Sequence, residues 1–333
     1  MRGPFHERPT TMSPDNVGVI LPRDLPAGEV VSFARRAEEL GFDELWVVED
    51  LGFRGGIAQA SAVLASTSRI TVGVGILPAG ARNVAFAAME IATLGELFPG
   101  RVVVGIGHGM PHWMRSLGVW PKSPLTLLSE YTVALTALLR GEQTPEAGRY
   151  VDVSGLRLDL VPSTPPPIVW GVRGPRSLAA AGRVAQGVVL AEPSAPAYIR
   201  ASIETTAFDT GRADAAPLVV AYDIAAVAAT DAAARELVRP ALGIVGEPDW
   251  HPHIAPLPFA DDFVALRERT GSPEAFAAAL PDEWIDALTL AGAADRVRAG
   301  IAARHAAGAT SVVLTPVGPD RSAALEDLAG ALG

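Results

Sequence analysis

Val102-Val103-Val104-Gly105-Ile106-Gly107-His108-Gly109 is an apolar run that stops at glycines, and a helical stretch rich in leucine and alanine follows it. Residues 72–76 and 168–174 repeat this pattern. A strand that is apolar throughout is typical of a parallel sheet covered on both faces. A glycine at the end of such a strand lets another group approach the backbone closely. The pattern therefore predicts parallel strands whose carboxyl ends form a cofactor site.

The alternation of strand and helix continues along most of the chain. Strands are predicted at 17–22, 44–49, 70–76, 101–107, 167–171, 187–191, 218–227 and 311–315, and helices at 27–40, 57–66, 83–97, 124–139, 175–185, 197–209, 231–242 and 294–307. Such alternation predicts one α/β domain over residues 1–333, a (β/α)8 TIM barrel with insertions at its C-terminal face. A doubly wound sheet is the alternative, but it normally needs fewer strands and an early glycine fingerprint that is missing here.

Three stretches stand outside the repeat. Residues 1–14 mix prolines with charges and are expected to form a loose tail. Two alternating runs within residues 141–167 are expected to pair as a hairpin. Residues 246–289 follow the seventh strand and hold histidines, prolines and a helix. Because insertions at the C-terminal face of a barrel usually shape the pocket, this last stretch is predicted to line the substrate site.

The composition narrows the class of protein. The chain of 333 residues is 49% hydrophobic with a mean hydropathy of +0.26, enough for a large core, and no apolar run is long enough to cross a membrane. A net charge of -10 disfavours nucleic acid and anionic membranes as partners. The absence of cysteine excludes disulfides and thiolate chemistry. The first residues lack a signal peptide's apolar core, so we expect a cytoplasmic protein with a small-molecule substrate.

Candidate site residues are those that follow each strand, where barrel sites are built. Glu49 and Asp50 follow the second strand, where they could supply an acid, contact a cation or simply hydrogen-bond within the loop. His108 lies between two glycines and could exchange a proton near neutral pH, although a single histidine is more often structural. Glu192 follows the sixth strand.

The best phosphate-binding motif follows the fifth strand. Gly171, Arg173, Gly174, Pro175 and Arg176 combine a glycine turn, a proline at a helix start and two arginines beside the positive end of a helix dipole. An ordinary β/α turn with solvated arginines is the other interpretation.

A metal site is not predicted. His251 and His253 lie near Asp261 and Asp262, but prolines interrupt them and the helical i,i+4 spacing of metal ligands is missing.

Four stretches of the chain carry a resemblance to a known family, at 41–50, 67–76, 88–108 and 168–182. Together they closely resemble the bacterial luciferase-like oxidoreductases. The resemblance is greatest to the deazaflavin-dependent branch that includes methylenetetrahydromethanopterin reductase. It runs from Val17 to about Leu190, returns from Leu290 to Pro316, and is poor between roughly Ala195 and Ala287.

The resemblance implies a cofactor at the carboxyl end of the barrel. Gly75 and Ile76 match the place where the family has a non-proline cis peptide behind the cofactor ring. The turn from Gly171 to Arg176 matches the family's phosphate site. Glu49, Asp50 and His108 match its polar groups beside the ring, although relatives commonly have an Asp-His pair at the first two positions and often an acid at the third.

Strand exits bare of side chains are expected to let the ring and its anionic tail rest on the main chain, with Gly107, Gly109 and Glu192 also contacting the cofactor. The resemblance then implies hydride transfer between C5 of coenzyme F420 and a small organic substrate. The alternatives are a monooxygenase that uses FMN and a barrel that binds ligands without redox chemistry. Relatives of this family generally pair through their early helices, so a homodimer is expected.

Overall fold

Eight parallel strands close into a barrel in the computed structural model, which describes residues 15–209 and 216–332. The strands of the sheet are β1 Asn16–Ile20, β2 Glu44–Val47, β3 Thr71–Pro78, β4 Val102–Gly107, β5 Ile168–Gly171, β6 Gly187–Leu190, β7 Leu218–Val227, β8 Leu290–Gly292 and β9 Ser311–Pro316. Their order is β6-β5-β4-β3-β2-β1-β9-β7, and β7 pairs again with β6. The predicted TIM barrel is therefore confirmed.

The short strand β8 was not predicted. It pairs in parallel with the last residues of β7, beyond the part of β7 that pairs with β6. It therefore extends the sheet beside the barrel and is not one of the eight strands that close the barrel.

Helices cover the outside of the barrel between consecutive strands. The helices in the described part of the chain are α1 Val30–Leu40, α2 Gly56–Ser66, α3 Val84–Leu97, α4 Pro111–Ser116, α5 Pro124–Leu139, α6 Pro175–Val184, α7 Pro196–Thr206, α8 Asp231–Val238, α9 His251–Ile254, α10 Ala260–Arg269, α11 Pro273–Ala279, α12 Asp282–Leu288, α13 Ala294–Ala306 and α14 Arg321–Ala329. The eight predicted helices are all present, and none of the helices in the described ranges has the length and apolar character needed to span a membrane. The predicted loose tail at residues 1–14 lies outside the described residues.

The barrel interior is a packed apolar core with one polar network at its amino-terminal end. Trp46 and Tyr222 meet edge to face, with ring centroids 5.6 Å apart. Below them the buried carboxylate of Glu44 accepts hydrogen bonds from Trp46 Nε1 at 2.6 Å, Asn16 Nδ2 at 2.9 Å and Ser311 Oγ at 2.7 Å. Burial raises the pKa of Glu44. This network gives the buried Glu44 carboxylate hydrogen-bond partners at the amino-terminal end of the barrel.

The predicted hairpin within residues 141–167 is wrong, because the described structure has no strand there. The carboxylate of Glu130 on α5 accepts the backbone N–H groups of Arg149, Tyr150 and Val151 at 2.7–3.1 Å. Those donors would have been needed for a ladder between two strands. The segment is an irregular loop held against α5 instead.

Residues 246–289 form helices α9 to α12 rather than one helix. Their apolar side chains build a second core, in which Phe263 meets Phe276 edge to face at 5.0 Å between centroids. The start of this insertion lies against the exits of β5 and β6, where Trp250 and His253 make contacts described below. The insertion therefore adjoins the carboxyl ends of two barrel strands.

Candidate active site

The carboxyl ends of the eight strands meet at one rim, and the exit of β3 is irregular there. The peptide bond between Gly75 and Ile76 is cis, as the resemblance implied. The pairing of β3 with β4 shifts register between Val74 and Leu77. Gly75 and Ile76 are both partly exposed, so this bulge forms part of the surface inside the rim.

The phenol ring of Tyr222 on β7 lies directly behind the bulge, inside the barrel. A Cβ placed on Gly75 would overlap the hydroxyl of Tyr222 and lie 3.2 Å from the ring of Trp46. Glycine at this position is therefore required by packing. The Tyr222 hydroxyl is buried and has no hydrogen-bond partner within the described residues.

The glycines that end β4 and β5 do not leave bare main chain, which corrects the prediction of open strand exits. A Cβ on Gly105 would lie 2.8 Å from Ile76 Cγ2, and one on Gly107 would lie 3.0 Å from Ile76 Cδ1. A Cβ on Gly171 would overlap Cγ2 of the same side chain. A Cβ on Gly105 or Gly107 would also approach a backbone carbonyl oxygen at 2.7 Å, that of Val74 or Gly171, whereas the three nearest atoms to a Cβ on Gly171 all belong to Ile76. Gly171 therefore makes room for Ile76, and a ligand at this place would meet the isoleucine first.

Gly109 has a different role in the structure. Its φ of 71° lies in the left-handed region, and a Cβ there would approach the Met114 sulfur at 2.9 Å. It serves the turn that leads into α4, and contact with a cofactor stays a prediction for Gly107 and Gly109 alike.

Glu49 is held by an ion pair that sequence reasoning did not predict. Its carboxylate accepts from Arg82 Nη1 at 2.8 Å and Nη2 at 3.0 Å, and also from the N–H of Gly56 at the start of α2 at 2.7 Å. These hydrogen bonds raise the pKa of Arg82. Both carboxylate oxygens are occupied, so a catalytic role for Glu49 stays a prediction that the geometry does not favour.

Asp50 has a partner from the neighbouring loop. Its Oδ2 accepts from Arg23 Nη1 at 2.5 Å, and the Arg23 guanidinium lies 4.8 Å from the centre of the Phe53 ring. The sequence left three uses open for Glu49 and Asp50: an acid, a contact with a cation, or a hydrogen bond within the loop. The structure shows an ion pair with an arginine for each of the two residues.

His108 connects the exit of β4 to the first turn of α6. Its Nε2 lies 3.2 Å from Ser177 Oγ, while Nδ1 is buried without a hydrogen-bond partner of good geometry among the described residues. Burial lowers the pKa of His108, and the backbone of Pro124 only partly opposes this effect. Burial therefore favours the neutral form of the ring.

The turn predicted to bind phosphate has the expected backbone form. Gly174 is the N-cap of α6 and has no side chain to cap the first turn, and Pro175 occupies the first helical position. Arg176 is exposed, whereas Arg173 donates to the Asp249 carbonyl at 3.3 Å and lies over the ring of Trp250 at 4.5 Å. Burial lowers the pKa of Arg173. The structure thus places one arginine in solvent and the other against the insertion.

Glu192 and two residues of the insertion form the remaining side of the rim. Trp250 Nε1 donates to the Glu192 carbonyl at 3.0 Å, and His253 Nδ1 lies 3.0 Å from the Pro193 carbonyl. His253 packs on the Tyr198 ring at 4.3 Å between centroids. His251 is exposed and does not join His253, and no group of three potential metal ligands occurs in the described ranges.

Several of these residues were missed by sequence reasoning. They are Ser177, Tyr222, Arg82 as the partner of Glu49, and the pair Trp250 and His253. A signal was available for the last pair, since aromatic residues in an insertion that leaves the carboxyl face of a barrel are well placed to reach the site.

The chain combines an eight-stranded parallel barrel, a bulged third strand and a glycine turn before α6, and the comparisons below show an enzyme of the flavin- or deazaflavin-dependent oxidoreductase kind. The model of the luciferase-like monooxygenase family matches residues 5–311, and the chain belongs to this family. It is 27% identical to a 5,10-methylenetetrahydromethanopterin reductase of Methanolobus tindarius, over 90% of this chain and 94% of that protein.

Two further proteins are similar over different lengths. An F420-dependent glucose-6-phosphate dehydrogenase of Nakamurella multipartita is 33% identical over 50% of this chain and 53% of its own length. The solved structure of the coenzyme F420-dependent tetrahydromethanopterin reductase of Methanopyrus kandleri has a TM-score of 0.80, with 22% identity over 95% of this chain and 98% of that one. This structural match supports the fold.

Proposed function

We propose that the chain is an F420-dependent oxidoreductase that transfers a hydride between C5 of the deazaflavin and a small organic substrate. The observation that carries this proposal is the junction of two features at Gly171. Ile76 from the β3 bulge packs on Gly171, and the same turn continues into the open start of α6. Gly171, where Ile76 would support a flat ring, and Gly174, at the start of the helix that would bind an anion, are thus three residues apart. Two relatives with similar sequence or fold are named as F420-dependent enzymes.

The residues present fit this cofactor. Ile76 would support the ring, and the first turn of α6 with Arg176 would bind the phosphate. The unpartnered Nδ1 of His108 and the unpartnered hydroxyl of Tyr222 are buried polar atoms at the same rim, as expected of a site that receives a polar ligand. When bound, the deazaflavin supplies a hydride donor or acceptor at C5. The protein supplies orientation, exclusion of water and a proton.

The proton is assigned to His108 rather than to Glu49. Glu49 is committed to Arg82 and to the start of α2, whereas the His108 ring is held only by Ser177, and burial favours its neutral form. Both residues were candidates from the sequence, and their ion pairs and hydrogen bonds distinguish them here.

An FMN monooxygenase is the second candidate, because the family's own description is of monooxygenases. Titration of the purified protein with F420 and with FMN, followed by cofactor fluorescence, separates the two. We expect micromolar or tighter binding of F420 and much weaker binding of FMN. Arg176→Gln should weaken F420 binding about 10-fold, whereas Arg200→Gln, an exposed arginine on α7, should leave it unchanged. Preference for FMN would refute the proposal, and binding of neither would favour a barrel without redox chemistry.

We also propose that the protein is a cytoplasmic homodimer that pairs through α2 and α3. Phe86, Met89 and Leu97 on α3 are 66%, 52% and 66% exposed, an apolar surface that a second copy would cover. Small residues on α2, such as Ala58 and Ala62, allow close approach of a partner helix. Light scattering after gel filtration should give twice the chain mass of 34.6 kDa, and Phe86→Glu should shift it toward the monomer. A monomeric wild-type protein would refute this arrangement.

A further inference from the structure

Arg173, just beyond β5, is a partly buried cation with few partners in the protein. Its guanidinium makes one hydrogen bond, from Nη1 to the Asp249 carbonyl at 3.3 Å, and lies 4.5 Å from the centre of the Trp250 ring. A guanidinium carries more N–H donors than this one contact uses. The remaining donors of Arg173 have no partner among the described residues, and the side chain forms no ion pair with them.

The other partly buried arginines of residues 15–209 and 216–332 all have more partners. Those that form ion pairs are Arg82, Arg235, Arg239, Arg267, Arg298 and Arg321. Arg54 and Arg101 each make at least two hydrogen bonds to oxygen atoms. Such partners are expected, because burial of a charge is costly unless the charge is paired and hydrogen-bonded. Arg173 thus lacks the kind of partner that the fold gives to comparable arginines.

Arg173 and Arg176 are held at different parts of the rim. Arg176 is exposed in the first turn of α6, where we expect the phosphate of the cofactor. Arg173 lies instead against the ring of Trp250, and Trp250 donates its Nε1–H to the Glu192 carbonyl at 3.0 Å. The guanidinium of Arg173 is therefore held toward the insertion, which is the part of the chain predicted to line the substrate site.

Arg173 is also close in the chain to the place where Ile76 would support the cofactor ring. Ile76 packs on Gly171. Arg173 follows two residues later, so its backbone is at most about 7 Å from that of Gly171. A substrate that reacts above Ile76 therefore needs only a short chain to bring a second group to the guanidinium.

The charges around Arg173 favour a carboxylate as this second group. A planar guanidinium pairs with a carboxylate through two parallel hydrogen bonds. The carboxyls of Glu192 and Asp249 already act on Arg173, although neither forms an ion pair with it. Burial raises the pKa of Glu192, which reduces its negative charge. A single arginine with two acidic neighbours balances the one charge of a carboxylate better than the double charge of a phosphate.

We propose that Arg173 binds a carboxylate of the substrate, so that the enzyme acts on small carboxylic acids that carry a reducible group elsewhere. This inference rests on the proposed function and names its substrate class. The carboxylate itself does not react: the hydride passes between C5 of F420 and another carbon, and the proton is exchanged at His108. The Trp250 ring fixes the guanidinium, and the guanidinium fixes the distance of the reacting carbon from the cofactor ring.

The first experiment compares acids with their esters on the wild-type protein. Pyruvate, levulinate and 5-oxohexanoate are titrated by calorimetry into the full chain saturated with oxidised F420, each beside its methyl ester, which lacks the charge. We expect at least one acid to bind about 10-fold or more tightly than its ester, because hydrogen bonds to a charged group are the stronger ones. The proposal is overturned when no acid binds more tightly than its ester.

The second experiment locates the carboxylate with variants of Arg173. Arg173→Gln should weaken binding of the preferred acid about 10-fold or more, with the affinities for its ester and for F420 within about 3-fold of the wild type. Arg173→Lys should give an intermediate affinity, because lysine keeps the charge without the paired planar donors. Arg200→Gln, at an exposed arginine on α7, is the matched control and should match the wild type.

Thermal unfolding checks that each variant is folded. Acid affinity that is unchanged in both Arg173 variants overturns the inference. Loss of F420 affinity without loss of acid affinity also overturns it, because Arg173 would then belong to the cofactor's anionic tail.

Turnover with reduced F420 shows whether the bound acid is a substrate. The value of kcat/KM should be about 10-fold or more higher for the acid than for its ester, and Arg173→Gln should act mainly by raising KM for the acid. Equal values for acid and ester overturn the proposal. Failure of the wild type to bind F420 refutes the proposed function instead. Titration of the acids into the cofactor-free protein then still decides whether Arg173 binds a carboxylate.

Discussion

Substitution of Gly171 by alanine tests what the glycines at the strand exits are for. The added Cβ would overlap Ile76 Cγ2 and lie 3.4 Å from Cγ1 and 3.5 Å from Cβ of the same side chain. Gly171 lies on β5, so the backbone beneath it is paired on both sides and cannot move away freely. Overpacking of this kind typically costs about 1–3 kcal/mol. Because Gly171 does not have a left-handed φ, alanine also recovers about 0.4–1 kcal/mol of chain entropy.

The expected net loss for Gly171→Ala is therefore about 1–2 kcal/mol, which lowers Tm by about 1.5–3 °C at ~2.1 cal/mol/K per residue for a chain of 333 residues. Ile76→Ala removes the atoms that overlap, so the double variant should be more stable than the sum of the single changes predicts, by at least about 1 kcal/mol. Thermal unfolding of the four proteins gives the coupling energy.

Two results would refute this reasoning. A Gly171→Ala protein as stable as the wild type would mean that Ile76 moves aside without cost. Additive effects in the double variant would mean that the glycine makes room for something other than Ile76. F420 titrations on the same four proteins separate packing from binding, because a loss of affinity that persists in the double variant would indicate direct contact of the cofactor with Gly171.

The remaining predictions concern charged and polar groups near the rim. Glu49→Gln should lower the free energy of unfolding by about 1–3 kcal/mol, because Arg82 loses a paired partner that is only partly solvated; an unchanged Tm would show that the pair contributes nothing. His253→Asn should flatten the acid side of the stability profile. With the folded pKa of His253 at about 3 and an unfolded value near 6.5, its contribution to stability is complete above pH 6.5 and is lost as the pH falls toward 3. The wild type should therefore lose stability relative to the variant by up to about 1.4 kcal/mol per pH unit over this range, and parallel Tm curves would contradict this. Asp223→Asn should cost about 3–5 kcal/mol in denaturant unfolding by leaving the buried Arg304 without its counter-ion, and a loss below about 1 kcal/mol would show that water reaches the arginine.

The barrel could be predicted from the sequence because its strands are continuous apolar runs and its helices have a clear apolar face. These local patterns do not depend on distant contacts. Strand β8 was missed because Leu290–Gly292 is only three residues long and its pairing with β7 is a long-range contact. The hairpin at 141–167 was predicted from an alternation of apolar and polar residues that the sequence does contain. The backbone N–H groups there donate to the Glu130 carboxylate instead of to a second strand.

The site was predicted in part. Residues at the strand exits could be enumerated because parallel strands end at one rim, and the bulge at Gly75 and Ile76 followed from the resemblance. The glycines at the ends of β4 and β5 predicted that another group approaches the backbone closely, but the sequence does not identify that group. The structure shows that it is the side chain of Ile76 at Gly171, and both Ile76 and the backbone of a neighbouring strand at Gly105 and Gly107. The contacts of Trp250 with Arg173 and Glu192 join residues 77 and 58 positions apart, and no local pattern encodes them.

The hydrogen bonds from Trp250 and His253 make the start of the 246–289 insertion and the exit of β6 inseparable. Suppose that a chimera exchanges this insertion for that of another enzyme in order to alter the substrate range. The carbonyls of Glu192 and Pro193 would then lose their hydrogen-bond donors, and Arg173 would lose its contact with the Trp250 ring. Such a redesign should therefore exchange two segments together. One is the insertion, and the other runs from Arg173 to Tyr198.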